Sequence, residues 1–308
     1  MDNSIKETWI KMIHQLQDEI CSSLEAADGK ARFREDAWQR PAGGGGNTRI
    51  IAQGEVFEKG GVNSSVVFGE LTEPMRRQLN MDGAHWFACG ISLVLHPFHP
   101  MVPTVHANYR MFELYDDTYQ LLDRWFGGGT DLTPFYLFEE DARHFHKTYQ
   151  AVCDRFDPIF YSKFKASCDD YFVNRHRNEE RRGIGGIFYD YERSDEHKDA
   201  WFWVNFAKAC GQAFIPSYLP LVEKRKLEPA GEEQRYWQEI RRGRYAEFNL
   251  LHDRGTIFGL KTNGRTESIL MSLPPRVRWD YNYSPQPGSA EHYMLQACLH
   301  PREWTNPG

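Results

Sequence analysis

FACGISLVLHPFHPMVPTVHANYRMFEL, residues 87–114, reads as two runs of alternating character joined by the corner His99-Pro100-Met101-Val102-Pro103. A strand turns successive side chains to opposite faces. In the second run Val105, Ala107, Tyr109 and Met111 therefore share one face, and Thr104, His106, Asn108, Arg110 and Phe112 share the other. In the first run Ile91, Leu93 and Leu95 lie opposite Ser92, Val94, His96 and Phe98. Two strands this close in sequence pair antiparallel, and their polar faces then coincide. The pairing predicts one patch of Ser92, His96, His106, Asn108 and Arg110. Solvated strand faces favour Thr, Lys and Glu; two His, an Arg and an Asn beside Phe point to a ligand site.

Working outward, hydrophobic periodicity predicts a helix over 5–27, strands over 49–57 and 63–70 joined by a Lys59-Gly60-Gly61 turn, and helices over 139–153, 159–176, 199–227, 232–251 and 290–299. Further strands are expected over 184–191, 256–261 and 267–273. Asn263-Gly264 supplies the type I′ hairpin signal between the last two. The sum is an α+β fold, a large, mainly antiparallel sheet flanked by helices. No repeat and no convincing linker divides the chain, so residues 1–308 are expected to form one domain.

Composition narrows the function. With 41% hydrophobic and 26% charged residues the chain can build a sizeable core. A net charge of −6 argues against generic binding to nucleic-acid phosphates. Mean hydropathy is −0.65 and the longest apolar run, 86–95, is about half a bilayer-spanning length, so no transmembrane segment is expected. No secretory signal or Arg-rich transit peptide is visible, which favours the cytoplasm. The six scattered cysteines fit reduced, buried thiols.

Three more segments carry candidate chemistry. Gly127-Gly128-Gly129 precedes Thr130-Asp131 and lets backbone approach a ligand, or makes a tight turn; Asp131 opposes a phosphate there. Arg181-Arg182 opens a second glycine cluster, Gly183 to Gly186, and is suited either to bidentate carboxylate binding or to a solvated charge run. The third is His252-Asp253-Arg254, with Arg265 near the expected hairpin tip. On the helix over 139–153, His146 falls at the edge of the apolar stripe of Ala142, Phe145, Tyr149 and Val152, while His144 points away. Nucleotide, nicotinamide and flavin motifs, GxSxG and HExxH are all absent.

Taken in order, GGxTRxxxxGxVFEKGGVNSSVV, HPFHPMVPTVHANYRMFE, WFGGGTDLTPFY, RRGIGGIFYDY and DRGTIFGLKTNGRTESILMSLPP resemble the oxygen-dependent coproporphyrinogen-III oxidase family over most of the chain. The resemblance implies a homodimer with a cleft over one sheet face. It implies oxidative decarboxylation of two propionates of coproporphyrinogen III to vinyl groups, with molecular oxygen as co-substrate, carbon dioxide and peroxide as products, and no organic cofactor. By resemblance His106 is the proton donor, and Asp131 and Asp253 are the carboxylates near the pyrrole. Ser92, Asn108, Tyr109, Arg110, Arg182, Arg254, Asn263, Gly264 and Arg265 are the substrate contacts. A divalent metal on His96, His106, His146 and His176 is also implied, and residues 245–280 correspond to a segment linked to dimerisation. Two other classes compete: a non-catalytic tetrapyrrole carrier, which needs only arginines and apolar walls, and a His-metal hydrolase, which needs a compact ligand motif.

Overall fold

The computed structural model describes residues 4–73, 76, 82–261 and 264–306. Seven antiparallel strands form one sheet in the order β1-β2-β3-β4-β5-β6-β9. They are β1 (Arg34–Gln39), β2 (Gly44–Ala52), β3 (Phe57–Glu70), β4 (His85–Pro97), β5 (Thr104–Tyr115), β6 (Leu121–Thr133) and β9 (Gly185–Glu192). A two-stranded ribbon, β7 (Val173–Asn174) and β8 (Glu180–Arg181), stands apart. The helices are α1 (Ser4–Asp28), α2 (Glu139–Asp154), α3 (Phe160–Tyr171), α4 (Ala200–Gln212), α5 (Phe214–Arg225), α6 (Glu232–Leu251), α7 (Arg254–Lys261), α8 (Thr266–Leu270) and α9 (Ala290–Leu299). The expected α+β architecture is the one observed.

β4 and β5 pair with Ser92 opposite Asn108 and Val94 opposite His106, so their polar faces coincide as the alternation predicts. The apolar face buries Leu93, Leu95, Val105, Ala107, Tyr109 and Met111 in the main core. That core is closed by α1, whose Ile5, Trp9, Met12, Ile13, Leu16 and Ile20 form one buried stripe, and by α4 and α5. The opposite face is covered by α6 at one end only. There Gln238 and Arg242 donate to the carbonyl of Pro97, and Tyr245 meets His96 edge-on at 5.1 Å.

Several glycines stand inside strands rather than in turns. Gly60 and Gly61 lie within β3, and a Cβ on Gly61 would collide with the Met271 side chain. The real turn is at residues 53–56. The Asp28 carboxylate holds it by accepting from the backbone N–H groups of Glu55, Val56 and Phe57 at 3.1, 2.9 and 2.9 Å. Burial alone raises the Asp28 pKa, but these N–H groups together with that of Ala31 bring it below the usual range. Gly127 to Gly129 likewise belong to β6, not to a turn, and strand β2 begins earlier than expected, at Gly44. Strand β1 had no clear signal in its sequence, REDAWQ.

The largest departure is at residues 254–273. The expected hairpin is instead two short helices, α7 and α8. Thr256, Ile257 and Ile269 favour strands, but Asp253 caps α7 by accepting from the Thr256 N–H at 2.7 Å, and the segment lies across a sheet face where no strand edge is available for pairing. Asn263, the expected turn residue, lies outside the described residues. The helix expected over 199–227 breaks at Ala213 into α4 and α5. The one expected to reach His176 stops at Tyr171, where the β7-β8 ribbon begins.

Candidate active site

The uncovered half of the polar sheet face is a groove whose floor is built from small residues. Sheet register brings Gly46, Ser65, Gly90, Arg110 and Gly127 into one row, and Thr48, Asn63, Ser92, Asn108 and Gly129 into the next. One wall is aromatic. Trp86, Phe112 and Trp125 stack across three strands at 6.3 and 5.2 Å, and Trp125 meets Tyr191 at 4.8 Å. The α7-α8 segment forms a strap over the other part. Ser268 hydroxyl shares a 3.0 Å hydrogen bond with Thr48, Lys59 donates to the carbonyl of Leu273 at 2.8 Å, and His96 donates to that of Ser272 at 2.8 Å. Trp38 Nε1, Asn63 Oδ1 and Trp125 Nε1 lie on this face, buried and without a hydrogen-bond partner among the described residues. Buried polar atoms left unpaired are costly.

At the covered end, His106 on β5 stands opposite Asp131 on β6, and its Nδ1 donates to Asp131 Oδ1 at 2.8 Å. Arg182 grips the same carboxylate with Nη2 at 2.9 and 3.0 Å and Nε at 3.1 Å, and its Nη1 donates to Asn249 on α6 at 2.7 Å. The guanidinium is enclosed by the rings of Phe172, Tyr245 and Phe248, 4.1–5.0 Å from its carbon. Burial by itself raises the Asp131 pKa, but the Arg182 charge and the His106 hydrogen bond outweigh it and hold the acid below the ordinary carboxylate range. Asp131 is therefore a carboxylate at neutral pH. It fixes the imidazole so that Nε2, on a side chain 20% exposed, is the nitrogen open to the groove.

On the β9 side, Arg110 donates to Asn108 Oδ1 at 2.7 Å and pairs with Asp190 at 2.8 Å. Arg254, the first residue of α7, reaches the same Asp190 at 3.1 Å and lies over the Tyr171 ring. Tyr171 donates to Asp253 at 2.9 Å. On the β1 side Arg265 pairs with Asp36 at 2.5 Å. The strap is thus tied to both edge strands, by Arg254 at its start to β9 and by Arg265 between its two helices to β1.

The geometry sorts the expected site residues. Ser92, His106, Asn108, Arg110 and Asp131 share the polar face, and Asp253, Arg254, Gly264 and Arg265 are carried by the strap and its ends. Tyr109 is a correction. It lies on the opposite face, 2% exposed, with its hydroxyl 2.6 Å from that of Thr130, because a strand cannot present consecutive side chains to one groove. Arg182 is a second correction: its donors are spent on Asp131 and Asn249, and it is 2% exposed, so it is not a free carboxylate clamp. Asn263 lies outside the described residues.

The four histidines do not assemble a metal centre. His96 is fully buried between Thr104 and the Ser272 carbonyl. His146 accepts from the Tyr161 hydroxyl at 2.9 Å and donates to the Ile184 carbonyl at 3.2 Å, and burial pulls its pKa down to about 3. His176 sits on the β7-β8 ribbon between His252 and Glu247. Of the four, His96 and His106 share the polar sheet face; His96 has both ring nitrogens engaged by Thr104 and Ser272, and His106 has its Nδ1 engaged by Asp131. Among the described residues no group of three or more His, Cys, Asp or Glu is arranged to hold a metal ion. The residues present do not fit the group that the resemblance implied.

Sequence reasoning missed Asp190, Asn249, Tyr171 and Trp38. Asp190 shares a face with Phe188 in an expected strand, but nothing in the sequence tells which strand lies beside it. Asn249 and Tyr171 come from helix faces whose packing direction only the fold sets.

The family model for coproporphyrinogen III oxidase matches residues 8–304. The chain is 50% identical over 311 residues to the chloroplastic oxygen-dependent coproporphyrinogen-III oxidase of Glycine max, covering 98% of this chain and 80% of that one. It is 50% identical over 317 residues to the corresponding protein of Hordeum vulgare, with the same coverage. It is 48% identical over 318 residues to the oxygen-dependent coproporphyrinogen-III oxidase of Prochlorococcus marinus strain MIT 9313, covering 96% of this chain and 89% of that one. With the match running almost from end to end, the chain belongs to the coproporphyrinogen III oxidase family.

Proposed function

We propose that this chain carries out the oxygen-dependent oxidative decarboxylation of two propionates of coproporphyrinogen III to vinyl groups in haem biosynthesis, and that its side chains divide the work as follows. Each turnover converts R–CH2–CH2–COO⁻, one O2 and one proton into R–CH=CH2, CO2 and H2O2. The C–COO⁻ bond breaks, two electrons and a hydrogen leave the adjacent carbon, and oxygen accepts both electrons. An electron-rich pyrrole can give electrons to oxygen directly, so the protein's task is to bind the ring, stabilise its developing positive charge and deliver the proton.

Arg110, Arg254 and Arg265 bind propionates, since each has guanidinium N–H groups left over and a partly exposed side chain. Ser92 and Asn108 supply further polar contacts. His106 Nε2 exchanges the proton, and Asp131 stabilises the imidazolium and places negative charge beneath the ring. Arg182 keeps Asp131 ionised and in place. Asp253 acts one step removed: its carboxylate caps α7 and so aims Arg254.

The observation that carries the reading is the His106–Asp131–Arg182 chain at the end of a groove rimmed by arginines. A carrier has no use for an oriented histidine at the ring. The test is anaerobic mixing with coproporphyrinogen III followed by admission of oxygen. Carbon dioxide and vinyl product are expected only after oxygen enters; no carbon dioxide would sink the oxidase reading.

A homodimer through residues 245–280 is part of the proposal. Leu250, Leu251, Leu260 and Trp279 are exposed there, which suits a second copy. A cytoplasmic setting accords with six free, buried cysteines. Among the described residues no helix is long and apolar enough to cross a membrane.

A further inference from the structure

Asp190 is an acid in a groove meant for a polyanion. In isolation it should repel the substrate, yet three features of the backbone are arranged around it. Gly127 faces both Asp190 and Tyr191, because the pairing of β6 with β9 slips between Phe126 and Gly128, which is a β-bulge. Tyr191 takes up the slip in the left-handed region at φ 57°, an uncommon conformation for an aromatic residue. A Cβ on Gly127 would stand 2.8 Å from Asp190 Oδ1 and 3.0 Å from Arg110 Nε, so any other residue would crowd that ion pair and push its side chains aside. Asp190 follows Gly186 and Phe188 on the polar side of β9, and its two oxygens take different arginines: Oδ1 forms an ion pair with Arg110 Nη2 at 2.8 Å, and Oδ2 accepts from Arg254 Nη2 at 3.1 Å.

We infer that Asp190 is the positioning residue that holds Arg110 and Arg254 side by side for one carboxylate of the substrate. The inference rests on the reading of those arginines as propionate ligands. Arg110 comes from the sheet and Arg254 from the strap, and the described structure joins them through Asp190. The Asp190 side chain is only 12% exposed, while those of Arg110 and Arg254 are 31% and 57% exposed. The acid is sheltered and the bases face the groove. A shared carboxylate fixes two long side chains before the ligand arrives, so their freedom is not lost on binding, and it stops two like charges from spreading apart. The remaining N–H groups of both forks stay free for the incoming carboxylate. Net charge at the cluster stays positive, two arginines against one acid.

The experiment measures anaerobic Kd for coproporphyrinogen III, and kcat in oxygen, for Asp190→Asn, Asp190→Glu and Gly127→Ala. Each is measured in the otherwise natural chain, and Asp190→Asn also in an Arg110→Ala, Arg254→Ala background. Circular dichroism and thermal melting establish that each variant is folded. Asp190→Asn is expected to raise Kd about tenfold, with kcat changing about twofold at most. Asp190→Glu should recover part of the affinity, and Gly127→Ala should resemble Asp190→Asn because it crowds the same pair. In the arginine-free background Asp190→Asn should add nothing, since the effect runs through those side chains. An unchanged or lower Kd for Asp190→Asn, with Kd raised in the arginine variant, overturns the inference while leaving the propionate reading intact. So does an equal loss from Asp190→Asn in the arginine-free background. A natural Kd in the arginine variant overturns the propionate reading, and this inference with it.

Discussion

A buried histidine with two protein partners answers acid differently from one that turns a proton over. His146 is fully buried, and burial, reinforced by the nearby Lys165 charge, lowers its pKa to about 3. The unfolded chain has an ordinary imidazole near 6.5. Between those values the unfolded state binds the proton and the folded state does not, so stability falls as pH drops from about 6.5 toward 3. At pH 5 the His146 contribution to that loss is about 2 kcal/mol. Urea unfolding of the natural chain and of His146→Gln at pH 7 and pH 5 checks this: the variant should lose less on acidification. Asp131 adds a separate acid sensitivity. Its folded pKa is depressed, so its contribution is complete above the unfolded value of about 3.9 and is lost as pH falls through the folded one. Replacing Asp131 by Ala leaves the Arg182 charge buried without its carboxylate. The expected loss is about 3–5 kcal/mol, together with abolished turnover.

The strap is the element on which the groove depends. It rests on β3, where Gly61 makes space for Met271, and it is tied down by Lys59, Thr48 and His96. Gly61→Val should push Met271 outward and lift α8, raising KM several-fold and exposing residues 254–273 to limited proteolysis while the melting temperature changes little. Adding Met271→Ala should restore much of the affinity by giving back the volume. Full affinity in Gly61→Val alone would mean that the seat of the strap has no bearing on binding. The strap also explains why its own sequence misleads: β-branched residues and Asn-Gly describe a hairpin locally, but Asp253 starts a helix and the segment crosses the face of the sheet, not an edge where a strand could pair.

For the whole molecule the relevant quantities are charge placement and exposed apolar surface. Net charge is −6, yet the groove is rimmed by Arg110, Arg254 and Arg265 gathered from distant segments. Leu250 and Leu251 end α6 exposed, close in sequence to Arg254 on the strap. If residues 245–280 form the interface, Leu251→Glu combined with Trp279→Glu should convert a dimer to a monomer in sedimentation at micromolar concentration, and loosening of the strap should then raise KM. A natural chain that sediments as a monomer would contradict the dimer outright.

The sequence by itself determined the polar strand face, because a period of two leaves no choice: Ser92, His106, Asn108 and Arg110 had to share a side once β4 and β5 paired. The same rule already placed Tyr109 on the other side, against its inclusion in a contiguous contact segment. Five ordered motifs identified the family and its chemistry. Tertiary structure alone decided the rest, because it depends on which distant surfaces meet. Arg182 became a buried partner of Asp131 only when α6 closed over it with Tyr245, Phe248 and Asn249. The four histidines separated because they stand on β4, β5, α2 and the β7-β8 ribbon, elements that the fold does not bring together around a common point. Asp190 shares its face with Phe188, but that β9 lies beside β6, and that a one-residue slip sets Tyr191 next to Asp190 opposite Gly127, depends on the fit between the two strands, which no local pattern in either announces.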